Sequence, residues 1–156
     1  MNESLRCILL VDDSPRDREL AVNALNSYNL ANEVVTMRDG AEALDYLYAR
    51  GEFAGQVNPL PAVILLDLKM PKVDGLEVLR ELKSDPKLKM IPIVMMTSSR
   101  EEQDLVKSYE LGVNAYVVKP VHFQEFVEAV KQIGAFWGIL NEIPACPASS
   151  PKPDLT

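Results

Sequence analysis

Short apolar runs alternate along the chain with longer segments in which apolar residues recur every three or four positions. The first pattern is typical of buried strands and the second of amphipathic helices. Their regular alternation predicts βαβ units, and therefore a parallel sheet with helices packed against it. The predicted strands lie at about 5–11, 32–37, 62–67, 91–96 and 115–118, and the predicted helices at about 15–28, 40–51, 74–84, 100–111 and 123–139.

The predicted elements differ in how strongly the pattern marks their buried faces. The strand at 62–67 is apolar up to its last residue, which predicts a central strand covered on both faces. In the first helix, Leu20, Ala21 and Leu25 belong to one apolar stripe, so we expect all three to face the sheet. The helix at 100–111 is only weakly amphipathic, which suits an element that moves.

Composition and charge narrow the class of protein. The 156 residues, 47% hydrophobic and 25% charged, fit one soluble domain, expected at 1–139. The Pro-rich segment 140–156 is expected to be a disordered tail. A net charge of −7 argues against nucleic acid as a partner.

The expected location follows from what the chain lacks. No apolar run approaches the roughly 18–20 residues that span a bilayer, so no membrane association is expected. The first residues do not form a signal peptide. Cys7 opens a predicted strand and Cys146 lies in the tail, so a disulfide between them is not expected. The prediction is a cytoplasmic protein.

Polar residues close four of the predicted strands. Asp12 and Asp13 follow the first apolar run, and Asp67 ends the central one. Thr97 and Lys119 follow two later strands. The carboxyl ends of parallel strands meet at one edge of the sheet, so these side chains should converge. Three acids in one place repel each other, and Mg²⁺, which prefers oxygen ligands, is the natural compensating cation.

Each of these residues also has a plainer interpretation. Asp67 can act as a carboxylate nucleophile that becomes phosphorylated, or it can be a solvated residue at a strand end. Asp13, or Ser14 after it, can cap the next helix, and capping and metal binding can coexist. Thr97 can bind a phosphoryl oxygen or begin a helix. Lys119 can reach a phosphate or pair with Asp67.

Taken together, the strand-end residues over about 5–139 resemble the receiver domain of two-component response regulators. That resemblance implies a flavodoxin-like (βα)5 three-layer sandwich with a five-stranded parallel sheet of order 2-1-3-4-5. The matching motifs are Val11-Asp12-Asp13-Ser14, Leu66-Asp67-Leu68-Lys69-Met70-Pro71, Asp74-Gly75, Met96-Thr97-Ser98-Ser99 and Val117-Val118-Lys119-Pro120.

The resemblance also assigns roles to particular residues. It implies that Asp67 accepts a phosphoryl group from a sensor histidine kinase, with Thr97 and Lys119 contacting that group. Tyr116 matches the switch aromatic, which turns inward when Thr97 moves toward the phosphate. The remaining implied features are magnesium held by Asp12, Asp13, Asp67 and the Lys69 carbonyl, and a cis peptide bond between Lys119 and Pro120.

Finer features resemble the single-domain regulators that partner cyanobacterial phytochrome histidine kinases. These features are the long 51–61 connection, the 108–111 motif, and Phe136-Trp137 in the last predicted helix. This narrower resemblance implies a phytochrome as the sensor kinase and a downstream protein as the target. It also implies a homodimer through the face formed by the 100–111 helix, the last strand and the last helix, which we call the output face.

Two other classes of protein stay open at this point. A phosphatase with an aspartyl-phosphate intermediate typically places its nucleophile after the first strand in an Asp-x-Asp pattern, whereas Asp12 and Asp13 are adjacent here. The favoured interpretation is therefore a signalling protein, not an enzyme. The alternative is a phosphorylation-independent adaptor with the same fold, which would have no need of Asp67, Thr97 and Lys119 together.

Overall fold

A computed structural model describes residues 7–26, 33–56, 60–70, 73–98 and 115–132. In these ranges five parallel strands form one sheet of order β2-β1-β3-β4-β5, which confirms the predicted order. The central strand β3 pairs with β1 on one side and with β4 on the other. The strands are β1 (Ile8–Val11), β2 (Val34–Met37), β3 (Val63–Asp67), β4 (Ile93–Thr97) and β5 (Tyr116–Val118).

Helices connect the strands as the alternating pattern predicts. They are α1 (Pro15–Asn26), α2 (Gly40–Tyr48), α3 (Gly75–Lys83) and α4 (Phe123–Gln132), with 3-10 helices at Gly51–Phe53 and Leu88–Met90. None of the helices in the described ranges has the length and apolar character needed to cross a membrane. The predicted helix at 100–111, the continuation of α4 toward residue 139, and the tail at 140–156 lie outside the described residues.

The core has two layers, one on each face of the sheet. On one face, Ile8 and Leu10 of β1 belong to a cluster with Leu25 of α1 and Phe126 of α4. On the other face, Leu9 and Val11 belong to a cluster with residues of α2 and α3. Neighbouring residues of a strand point to opposite faces, so the all-apolar strands fill both layers at once. This is the expected three-layer sandwich.

One residue expected to be buried is exposed, and the limits of several elements differ from the predicted ones by two or three residues. Leu20 is 41% exposed, because Ala21 and Leu25 form the buried line of α1 and Leu20 lies beside it. Strand β4 begins two residues later than predicted and includes Thr97. Pro92 has no N–H to donate to a neighbouring strand, while Thr97 pairs with Val118 of β5 and so extends the ladder.

Candidate functional site

The carboxyl edge of the sheet collects the predicted residues. Asp12 follows β1, Asp67 ends β3, Thr97 ends β4 and Lys119 follows β5. One carboxylate oxygen from each of Asp12, Asp13 and Asp67 lies within 4.8 Å of the others. Asp12 and Asp67 are buried, whereas Asp13 is exposed. The edge is therefore an acidic site with a buried floor and one carboxylate facing solvent.

Lys119 is the cation of this acidic site. Its Nζ atom lies 3.2 Å from Asp12 Oδ2 and 3.2 Å from Asp67 Oδ2. Its backbone N–H donates to the Thr97 carbonyl at 2.8 Å, which extends the β4–β5 ladder into the site. The Lys119–Pro120 peptide bond is cis, the isomer that the resemblance implies. One ammonium group thus contacts the acids that follow two different strands.

The site has too little positive charge to favour two ionised carboxylates in its buried floor. Burial raises the pKa of Asp67, the Asp12 carboxylate raises it further, and Lys119 opposes both, leaving a pKa of about 7. Burial lowers the pKa of Lys119, but the negative charges of Asp67 and Asp12 outweigh burial and hold it above its ordinary value. The single lysine does not compensate the acids, and an added cation would.

Three buried oxygen atoms at the site lack hydrogen bonds from the described residues. Asp12 Oδ2, Asp67 Oδ2 and Thr97 Oγ1 receive no hydrogen bond from the described part of the chain, although Lys119 lies near the first two. Buried polar atoms usually have partners, so such atoms mark a place where a ligand belongs. Two buried carboxylate oxygens that share one ammonium group, together with the exposed Asp13, fit a hard divalent cation. The Thr97 hydroxyl, which has no partner among the described residues, fits an anionic oxygen.

The first turn of α1 is built onto this edge. The Ser14 N–H donates to Asp12 Oδ1 at 3.0 Å, and the Asp17 N–H donates to Ser14 Oγ at 3.2 Å, so Ser14 caps α1. Arg18 Nη1 donates to the Asp12 carbonyl at 2.8 Å. Asp17 Oδ2 lies 3.1 Å from Lys119 Nζ. Asp17 is not among the residues predicted for this site, because its position in a first helical turn is typical of an acid facing the helix dipole.

Close packing beneath β3 determines where Asp67 lies. The Leu68 N–H donates to the Met96 carbonyl at 3.0 Å, and the Gly75 N–H donates to the Leu68 carbonyl at 2.8 Å. Gly75 sits directly under the Asp67 carbonyl oxygen, where a β-carbon would collide. Asp74 starts α3 through a reciprocal capping box with Glu77. The Asp74-Gly75 motif therefore anchors the turn that follows Asp67.

The remaining predicted residues lie around the acidic centre. Tyr116 of β5 is half-buried and packs against the core layer that includes α2 and α3. Lys69, two residues after Asp67, is exposed. His122 is also exposed and precedes α4. The structure thus gathers Asp12, Asp13, Asp67 and Lys119 in direct proximity, with Thr97 at the end of the strand beside Asp67.

An acidic site with a buried floor, at the carboxyl edge of a flavodoxin-like parallel sheet, is typical of a class of signalling domains. The family described as "Response regulator receiver domain" matches residues 8–131. The chain therefore belongs to the response regulator receiver domain family.

Several relatives are similar over most of the chain. The bacteriophytochrome response regulator AtBRR is 61% identical with a TM-score of 0.85, covering 90% of this chain and all of that chain. Response regulator Rcp1 of Synechocystis sp. is 41% identical over 90% of this chain and 94% of its own length. A structure of phosphorylated RcpA, a cyanobacterial phytochrome response regulator, is 45% identical, with a TM-score of 0.67, over 85% of this chain and 94% of that chain.

Proposed function

We propose that this protein is a response regulator that accepts a phosphoryl group on Asp67 from a sensor histidine kinase. The observation that carries the proposal is the convergence of Asp67, Asp12 and Lys119, with a Thr97 hydroxyl at the end of the adjacent strand that has no hydrogen-bond partner in the described part of the chain. Packing alone requires none of these polar groups at a buried edge. The known phosphorylation of the similar RcpA supports the same reaction here.

The chemistry is assigned to residues of this chain. An Asp67 carboxylate oxygen attacks phosphorus, the bond from phosphorus to the kinase histidine nitrogen breaks, and the electron pair returns to the imidazole. Lys119 and Thr97 donate hydrogen bonds to the oxygens of the transferred group. Asp12, Asp13, Asp67 and the Lys69 carbonyl would hold a magnesium ion, which supplies charge neutralisation. A manganese-bound structure of Rcp1, 41% identical, supports a divalent cation at such a site.

Phosphorylation is proposed to act as a two-state switch. It adds nearly two negative charges at a buried position. The Thr97 hydroxyl, for which the described residues supply no hydrogen-bond partner, moves to bond the new oxygens. Tyr116 then turns into the space that Thr97 leaves. Because the two states present different surfaces, a partner that binds one of them better shifts the population toward it.

In the proposed function, the output face is the surface that binds other proteins. A groove of about 340 Å³ lies between β5 and α4, and Val118 beside it is 39% exposed. We propose that a downstream protein or a second copy of the chain binds this face, and that the kinase is a phytochrome. The bacteriophytochrome and phytochrome regulators among the similar proteins support this assignment. We also propose that the protein is located in the cytoplasm together with its kinase.

The test is uptake of a phosphoryl group from a small acyl phosphate in the presence of magnesium. We expect the intact mass of wild type to increase by one phosphoryl group, and the mass of an Asp67→Asn variant to stay constant. Chelation of magnesium should abolish uptake by wild type. If neither protein gains mass while both remain folded, the phosphorylation-independent adaptor becomes the better description.

Lys69 is expected to prolong the life of the aspartyl phosphate. A long cation lies two residues after the acceptor, and its exposed side chain can obstruct the water that attacks phosphorus. We expect Lys69→Asn to accelerate autodephosphorylation several-fold, measured as loss of the phosphorylated mass with time. Lys89→Asn, which removes an exposed lysine from the 3-10 helix preceding β4, serves as the control. An unchanged rate in Lys69→Asn would exclude this role.

A further inference from the structure

Among the described residues, Lys119 has three carboxylate neighbours, and one of them is far more exposed than the other two. Asp12 and Asp67 form the buried floor of the acidic site, with side chains 1% and 4% exposed. Asp17 lies 3.1 Å from the same Nζ atom, but its side chain is 37% exposed and belongs to α1. The ammonium group therefore spans from the buried acids to a carboxylate at the rim.

The position of Asp17 is set by the turn between β1 and α1, which is itself anchored on Asp12 of the acidic site. The Asp17 N–H bonds the Ser14 hydroxyl, and the Ser14 N–H bonds the Asp12 carboxylate. The turn between β1 and α1 thus places Asp17 opposite the end of β5. No carboxylate oxygen of Asp17 is among the three that converge as candidate cation ligands in the described part of the chain.

This arrangement matters because Lys119 and a divalent cation compete for the same oxygens. An ammonium group has three protons and can donate to three acceptors. A cation that takes Asp12 and Asp67 withdraws two of those acceptors, and Asp17 remains. Without Asp17, the ammonium group would associate more closely with Asp12 and Asp67, and a cation would have to displace it at greater cost.

Resting on the proposed function, we propose that Asp17 is a positioning residue. It holds the Lys119 ammonium group at the rim of the acidic site, so that a magnesium ion can occupy the buried carboxylates while Lys119 stays within reach of a phosphoryl oxygen. A role confined to the helix dipole would stabilise α1 but would not depend on Lys119.

A double-mutant cycle with magnesium as the only ligand tests this inference. Magnesium affinity is measured from the rise in the unfolding midpoint as the magnesium concentration increases. We expect Asp17→Asn to weaken magnesium binding by about three- to tenfold, as suits a partly exposed ion pair. In a Lys119→Gln background, the loss of magnesium affinity caused by Asp17→Asn should be at least about threefold smaller than in wild type, because Asp17 can no longer act through Lys119.

Two further variants separate positioning from general charge. Asp17→Glu keeps a carboxylate on the same turn and should restore most of the lost affinity. Glu19→Gln removes one negative charge from an exposed position on the same helix and should have little effect. Equal losses from Asp17→Asn in both backgrounds, or no loss in wild type, would overturn the inference.

The proposed function is checked in the same samples. If wild type binds magnesium and gains a phosphoryl group on Asp67, the switch stands whatever the Asp17 variants show. If wild type does neither, the proposed function itself fails. Circular dichroism of each variant confirms that an altered affinity does not arise from loss of the fold.

Discussion

Substitution of Asp67 by asparagine is expected to make the metal-free protein more stable at neutral and alkaline pH. Asp67 is buried, lies beside Asp12, and has a pKa of about 7, so its negative charge is unfavourable in the folded state. The upward shift from the ordinary value corresponds to a gain of about 2 to 4 kcal/mol in the free energy of unfolding when the charge is removed. Urea unfolding in the presence of a chelator measures this gain.

The pH dependence gives this prediction a definite sign. Because the folded state binds the Asp67 proton more tightly than the unfolded state, the contribution of this group to stability is complete below the ordinary pKa of an aspartate. That contribution is lost as the pH rises toward about 7. The raised pKa of Lys119 keeps that group charged throughout this interval. The advantage of Asp67→Asn should therefore increase between about pH 4 and pH 8.

A matched variant tests whether burial is the cause. Asp13 belongs to the same acidic cluster but is exposed, so Asp13→Asn should stabilise the protein by less than about 1 kcal/mol. Magnesium should stabilise wild type more than Asp67→Asn, because only wild type offers both buried carboxylates. An Asp67→Asn protein that unfolds more readily than wild type at pH 8 would show that the pairing with Lys119 outweighs the cost of burial.

Replacement of Gly75 by alanine is expected to destabilise the protein by about 2 to 4 kcal/mol. A β-carbon at this position would collide with the Asp67 carbonyl oxygen and lie 2.8 Å from Leu68 Cα. Both neighbours are backbone atoms, which cannot rotate away as a side chain can. We also expect slower phosphorylation, since relief of the collision displaces the residue that accepts the phosphoryl group. Urea unfolding and the intact-mass assay measure the two effects.

Gly55 provides the comparison that separates crowding from backbone conformation. A β-carbon there would meet no atom of the described residues within 4 Å, but Gly55 has a φ of +87°, which L residues adopt with strain. Gly55→Ala should cost about 1 kcal/mol. The phosphorylation rate should be unchanged in this variant. Equal losses of stability in the two variants would mean that the contact beneath Asp67 relaxes freely.

Local patterns predicted the elements better than their limits. The all-apolar runs identified the strands, because a strand buried on both faces contains few polar residues. Leu20 and the start of β4 were assigned incorrectly. The exposure of Leu20 depends on how α1 is rotated against the sheet, and the start of β4 depends on which backbone groups find partners in the adjacent strands.

The contact between Asp17 and Lys119 could not be predicted from the position of Asp17 in the sequence. Asp17 is 102 residues from Lys119, and its local surroundings are those of an ordinary first helical turn. Only the packing of α1 beside the end of β5 gives it a second partner. The buried Thr97 hydroxyl is similar, because a Thr at a strand end reveals neither its burial nor that the described residues offer it no hydrogen-bond partner.

By itself, the sequence determined the alternation of elements, the parallel sheet and the residues that end each strand, since these follow from periodicity and from the common edge of parallel strands. The motifs, compared with a known family, added the order of the strands. Tertiary structure decided the charge balance of the site: how deeply Asp12 and Asp67 are buried, that one ammonium group contacts three carboxylates, and that Gly75 has no room for a side chain. These properties depend on distances of 3 to 5 Å between segments far apart in the chain, and such distances exist only once the helices have packed against the sheet.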